Sequence, residues 1–253
     1  MIKKLALVAV FAATASFASW DYLPILDAGR GQVEVNVDYT LQGKKSQLTP
    51  YLAARHTIIQ NLEVGVMIPY VVFTHYDGED LMEDGFDEVE LMARYQFLPM
   101  LGAYLDIFLP TCDEDVCGDD DPFAFRFGVQ FYQKFGMVQF GSELGLMLET
   151  EGEDKKTPPW DLKLGLEASF HVNEIVEPYV GVDLRMKLGK DTYKGENVGE
   201  SRTGDLGVGP FVGATVNFTS MFYAALEAQF CFGDDYYGNK TKTLISGWFG
   251  LNF

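Results

Sequence analysis

Cysteine, histidine and basic residues are scarce in this sequence, and each shortage removes a class of function. The 253 residues include only 3 cysteines and 3 histidines. Zinc centres want several of these at characteristic short spacings. Cys112 and Cys117 bracket a short loop with no histidine nearby, and Cys231 stands alone, so neither a metal centre nor a cofactor is expected. Lysine and arginine total 19 against 37 acids, a formal net charge of −18. So acidic a chain is unsuited to nucleic acid or to polybasic docking on anionic lipid. Long apolar runs are also missing beyond the first residues, which excludes helical membrane spans. A β-barrel escapes that test, because its strands are only half apolar.

What is present begins at the termini. Lys3 and Lys4 precede an apolar stretch, and Ser16 and Ala18 occupy the −3 and −1 places of a signal-peptidase site. Residues 1–18 therefore read as a secretory signal peptide, with cleavage after Ala18, or alternatively after Ala15. No cysteine follows the apolar stretch, which argues against a lipid anchor. At the other end Ile245, Phe249, Leu251 and Phe253 share one strand face, opposite Ser246, Trp248, Gly250 and Asn252. A terminal Phe on an amphipathic strand is the address read by the bacterial barrel-assembly machinery, although Gly247 lies one place off the usual pattern.

Between the termini, apolar and polar residues alternate with a period of two. About twelve such segments occur, at 31–41, 48–58, 62–73, 87–97, 101–109, 123–133, 138–149, 160–172, 176–188, 204–218, 222–232 and 243–253. Short connections (57–61, 99–100, 134–137, 172–175, 219–221) alternate with long ones (42–47, 75–87, 111–121, 150–159, 189–203, 233–240). Tight turns on one rim and longer loops on the other characterise outer-membrane barrels with both termini in the periplasm. The expected fold is all-β: a transmembrane antiparallel up-and-down barrel of about 12 strands, one domain over residues 19–253. A soluble barrel with an apolar interior would show the same alternation. Three features favour apolar-out. Glycines such as Gly141, Gly165, Gly181, Gly207 and Gly209 lie on the polar parity, bulky aliphatics fill the other, and aromatics gather near strand ends.

With the polar parity inward, the lumen carries acids and bases at about two to one and a negative potential. Its acids are Glu34, Asp38, Glu63, Glu88, Glu90, Asp106, Glu143, Glu149, Asp161, Glu167, Glu177, Asp183, Asp205 and Glu227. Its bases are Arg55, Arg94, Arg126, Lys163, Arg185 and Lys187. The pore-lining candidates are Arg94, Asp106, Arg126, Glu143, Asp161, Lys163, Glu167, Asp183, Arg185 and Glu227. Such charges either select permeants by sign or pair with one another to brace the barrel. Hairpin pairing places Asp161 and Lys163 opposite Asp183 and Arg185 to within about a residue. Tyr104, Phe108, Tyr179, Phe211, Tyr223 and Trp248 share this parity.

Catalysis finds little support. His56, His75 and His171 lie at strand ends, away from a serine that an orienting acid could also serve. The acidic run 113–124 has Gly118 at the sixth place of an EF-hand loop, but Cys117 and Ala124 stand where ligands belong. Asp113, Asp115, Asp119 and Asp120 remain candidates for cation bridging to lipopolysaccharide. An exported chain meets oxidising conditions, so a Cys112–Cys117 disulfide is expected.

The stretch Asn61-Leu62-Glu63-Val64-Gly65-Val66-Met67-Ile68-Pro69-Tyr70 resembles a recurrent strand of one outer-membrane family. Gly207-Val208-Gly209-Pro210-Phe211 is similar to its later strands. That family comprises transporters named for the meta-cleavage pathway of phenol degradation. The resemblance implies an outer-membrane barrel with an uptake role and carries over no binding residue. The expectation is a monomeric, mildly cation-preferring channel for small solutes in the bacterial outer membrane, contacting lipid and lipopolysaccharide. No long loop that could fold inward as a constriction is evident. The rival is a closed barrel acting through its acidic outer loops.

Overall fold

The computed structural model describes Trp20, Tyr22 and residues 24–253 except 83, 119, 120, 154 and 239. The signal-peptide reading, like Asp119 and Asp120, lies outside the described residues. Twelve long strands form the body. They are β1 (Gly31–Gln42), β2 (Lys45–Ile59), β3 (Leu62–Val71), β4 (Glu90–Leu98), β5 (Leu101–Phe108) and β6 (Ala124–Phe135). The second half comprises β7 (Val138–Glu149), β8 (Trp160–Phe170), β9 (Val176–Leu188), β10 (Leu206–Asn217), β11 (Phe222–Cys231) and β12 (Lys242–Asn252). Each pairs antiparallel with the next, and β1 pairs with β12 from Gln32↔Asn252 to Gln42↔Lys242. Closure leaves the main wall no unpaired edge, as hydrocarbon surroundings require. No helix among the described residues is long and apolar enough to cross a membrane.

Alternation decides which face is inside. On β1 the polar Glu34, Asn36 and Asp38 are buried, whereas Val35 is 58% exposed. Leu52, Leu105, Val129, Leu144, Val212, Leu226 and Phe249 likewise face outward. Soluble proteins rarely expose a continuous apolar belt of this extent. Tyr95, Phe97, Phe135, Trp160, Phe170, Phe218 and Phe222 are exposed at or beside strand ends, as interfacial girdles are. The soluble alternative is thereby set aside, and the architecture is that of an outer-membrane barrel.

One rim carries the tight turns, and the start of β1 meets Phe253 there. Gly31 and Phe253 exchange backbone hydrogen bonds of 3.0 Å in both directions. The Phe253 ring lies so close that a Cβ on Gly31 would fall 2.4 Å from it. At the opposite rim the expected long connection 42–47 is a two-residue turn. Gln42 pairs with Lys45, and only Gly43, at φ +60°, and Lys44 lie between the strands. Segment 42–47 is polar at every residue except Gly43, so it reads as loop, but Gln42 and Lys45 are buried inside the barrel. Length alternation consequently fails at this connection. The remaining outer connections are longer. They hold a hairpin (Phe73–Tyr76, Glu79–Met82), a three-stranded sheet beyond β7 and β9, and helices α1 (Glu114–Cys117) and α2 (Asp234–Tyr237).

Candidate functional site

The lumen is packed with charge. All ten pore-lining candidates lie on the inward parity, each no more than 7% exposed. Eleven buried acids face seven buried bases among the described residues. Two of those bases, Lys45 and Lys242, escape the sequence reading because they sit in the first turn of strands judged to begin later. Arg126 donates from Nε to Asp106 at 2.9 Å and from Nη2 to Glu90 at 3.1 Å, with its guanidinium over Phe108. Lys163 meets Glu143 at 3.2 Å, and Arg55 meets Glu63 at 3.3 Å. Along β8 and β9, Lys163 does face Arg185, but Asp161 faces Lys187 and bonds it at 2.9 Å, while Asp183 faces Gly165. Burial without such partners would be costly, so these pairs brace the wall.

The segment preceding β1 enters this space. The Trp20 indole donates to Glu34 Oε1 at 3.0 Å, and the Trp20 carbonyl accepts from Arg94. Arg55 lies 5.0 Å over the Trp20 ring. The Tyr22 hydroxyl donates to Asp183, and Lys163 lies over the Tyr22 ring. The two aromatics join different clusters: Trp20 packs with Tyr51, Ala53, Met67 and Met92, and Tyr22 with Tyr179, Phe211, Tyr223, Ala225 and Trp248. Trp20 and Tyr22 thus fill lumen space between β2–β4 and β9–β12. Period-two reading misses them, since two isolated aromatics do not form a strand. The one available signal was the glycines: a Cβ on Gly141 or Gly165 would strike Tyr22.

Glycine plays the same part elsewhere in the wall. Tyr179 on β9, Gly213 on β10 and Glu227 on β11 share one cross-strand row. The tyrosine ring lies across the glycine, where a Cβ would come within 2.3 Å, and its hydroxyl faces Glu227. Tyr223, Gly250 and Glu34 repeat the device on β11, β12 and β1, and the Tyr223 hydroxyl donates to Glu34. The inward aromatics of the sequence reading are thus arms reaching over a neighbouring strand.

The outer end closes differently. Helix α2 turns Tyr236 and Tyr237 inward against Gly207, with Tyr236 donating to Asp161 and the Tyr237 carbonyl accepting from Gln42. Burial pushes both phenols above their usual range. The loop that turns inward is short, and two adjacent tyrosines supply its bulk. Nearby, burial pushes the Glu88 carboxyl up to about 9, aided by Asp87, Asp121, Glu149 and Glu90. Asp87 is raised as well, chiefly by burial. Cys112 and Cys117 form a disulfide beside Asp87. Sulfurs bonded to each other offer no thiolate, so this trio is not a metal centre.

Towards the tight-turn rim a cavity of about 150 Å³ lies beside Trp20. Its walls are Trp20, Gln32, Glu34, Glu167, Ser169, Glu177, Tyr179, Thr215, Asn217, Tyr223, Trp248 and Asn252. The histidines stay at the periphery: His56 stacks on Phe253, His75 meets Asp80 at 2.6 Å and His171 meets Glu177 at 3.0 Å.

The sequence matches no family model and no curated protein. The fold, in contrast, is similar to several solved barrels. An outer membrane channel from Pseudomonas putida F1 superposes with a TM-score of 0.72 at 12% identity, covering 93% of this chain and 98% of that one. The NanC porin gives 0.53 at 8% identity, over 87% of this chain and 98% of that one. The CymD monoaromatic hydrocarbon channel gives 0.50 at 7% identity, over 90% and 88%. Identities this low speak for the barrel fold.

Proposed function

We propose that this protein is a channel of the bacterial outer membrane that passes small solutes and prefers cations. The observation that carries the reading is the lumen itself, in which buried acids outnumber buried bases. Within a low-dielectric wall such an excess concentrates cations and repels anions. A fold shared with two channels and a porin supports the same role, as does the strand resemblance at residues 61–70 and 207–211. Removal of residues 1–18 would place Trp20 second in the exported chain, so the lumen obstruction would be the free N-terminal arm. Phe253, at the seam with β1, would present the assembly signal. The outer acidic loops would meet lipopolysaccharide around a single-copy barrel, and no catalytic role is assigned.

A second reading has its own observation. Arg126, Lys163, Lys187 and Arg55 are all held in ion pairs. Their task on that view is bracing, in a closed barrel that acts through its surface loops. Planar-bilayer recording of the refolded protein under a salt gradient separates the two. Reproducible steps with a cation-selective reversal potential support the channel. Silence from folded, heat-modifiable protein supports the closed barrel.

A further inference from the structure

Building on the channel reading, we propose that the cavity beside Trp20 is a binding site for small organic ammonium ions of the choline type. Its size suits a compact head group, for an engineered cavity of about 150 Å³ takes benzene. Four aromatic side chains line it: Trp20, Tyr179, Tyr223 and Trp248. Ring faces attract cations, and an alkylated ammonium, being weakly hydrated, gives up little on leaving water for them.

The wall charges have one sign. Glu34, Glu167 and Glu177 line the cavity, and among the described residues no lysine or arginine does. Glu34 is aimed by donors from Trp20 and Tyr223, both neutral. Arg55 lies behind, over the Trp20 ring, and its own bonds go to Glu63 and Gln32. Glu177 has His171 at the rim, and Glu167 accepts from Ser169. Behind Tyr179 a further acid, Glu227, is 2% exposed. An anion would be repelled here, and a wholly apolar solute would leave carboxylates desolvated without compensation.

Trp248 completes the aromatic wall. Trp248 is 7% exposed, and its indole N–H has no acceptor among the described residues.

The test compares choline with its uncharged isostere, in which carbon replaces the quaternary nitrogen. The full barrel, refolded in detergent, is titrated with each by calorimetry and tryptophan fluorescence. Choline should bind about tenfold tighter or more. Glu34→Gln should weaken choline several-fold, as should Trp248→Leu, which removes one ring from the wall, with heat-modifiability confirming each fold. Equal affinity for the two ligands, or choline affinity untouched by both variants, overturns the site. A barrel that conducts cations yet ignores choline overturns the site and keeps the channel. One that binds choline and carries no current keeps the site and removes the channel reading.

Discussion

Replacing Arg126 with methionine tests whether the lumen behaves as a protein interior. Its guanidinium bonds Asp106 at 2.9 Å and Glu90 at 3.1 Å, with side-chain exposures of 6%, 0% and 2%. Removing one partner of a buried ion pair typically costs about 3–5 kcal/mol, because the remaining charge stays desolvated. Two carboxylates share this cation, so Arg126→Met should lose stability at the upper end of that range. Exchanging the whole trio for apolar residues of similar volume (Arg126→Met, Glu90→Met, Asp106→Leu) should return the barrel to within about 1 kcal/mol of the parent. Reversible urea titration in phospholipid vesicles, followed by tryptophan fluorescence, measures both changes. A loss below about 1 kcal/mol for the single variant would mean that water screens these charges, as at an exposed surface. The argument for bracing would then fail.

Closing the six-residue disulfide loop should contribute about 2 kcal/mol of local order. Serine at both Cys112 and Cys117 should therefore speed proteolysis within 111–121 while leaving barrel melting unchanged. Glu88 is raised from 4.5 to about 9 in the fold, so the folded state holds its proton where the unfolded chain has lost it. That stabilisation is complete below pH 4.5 and vanishes as pH rises through about 9, with Asp87 acting in the same sense. Hydrogen exchange of the 84–89 segment, corrected for intrinsic rates, should accordingly open up with rising pH, and Glu88→Gln should flatten the profile. Gly213→Ala would force the Tyr179 ring aside and cost about 1–3 kcal/mol. Tyr179→Leu in the same chain should recover much of it, so a strictly additive double mutant in urea titration would refute the glycine–tyrosine account.

Strand number, strand order and facing were legible because a barrel wall obeys a two-residue rule that every strand repeats. Val35 and Glu34 have no choice of face once one side is lipid. What eluded that rule sits where the rule stops. Lys45 and Lys242 begin their strands, and a lysine at a boundary looks the same whether it enters water or a polar lumen. Trp20 and Tyr22 precede the first strand, and Tyr236 and Tyr237 belong to one helical turn, so neither pair carries a period. Cross-strand partners were legible only within a residue or two. Asp161 meets Lys187 rather than Asp183 because the β8–β9 register is set by the geometry of the 171–175 turn, which alternation along the strands does not encode.

Two separate pieces of chain, neither of them wall strand, occupy the lumen: Trp20 with Tyr22, and Tyr236 with Tyr237. Obstructions along one path behave as resistors in series, so the narrower one governs the current whatever happens to the other. Clearing the narrower aromatic pair would therefore lower the total resistance far more than clearing the wider one. Clearing both would lower it by the sum of the two separate effects. A solute moving inward would also meet them in order, the outer pair answering to the exterior and the inner one to the periplasm, in the manner of an airlock.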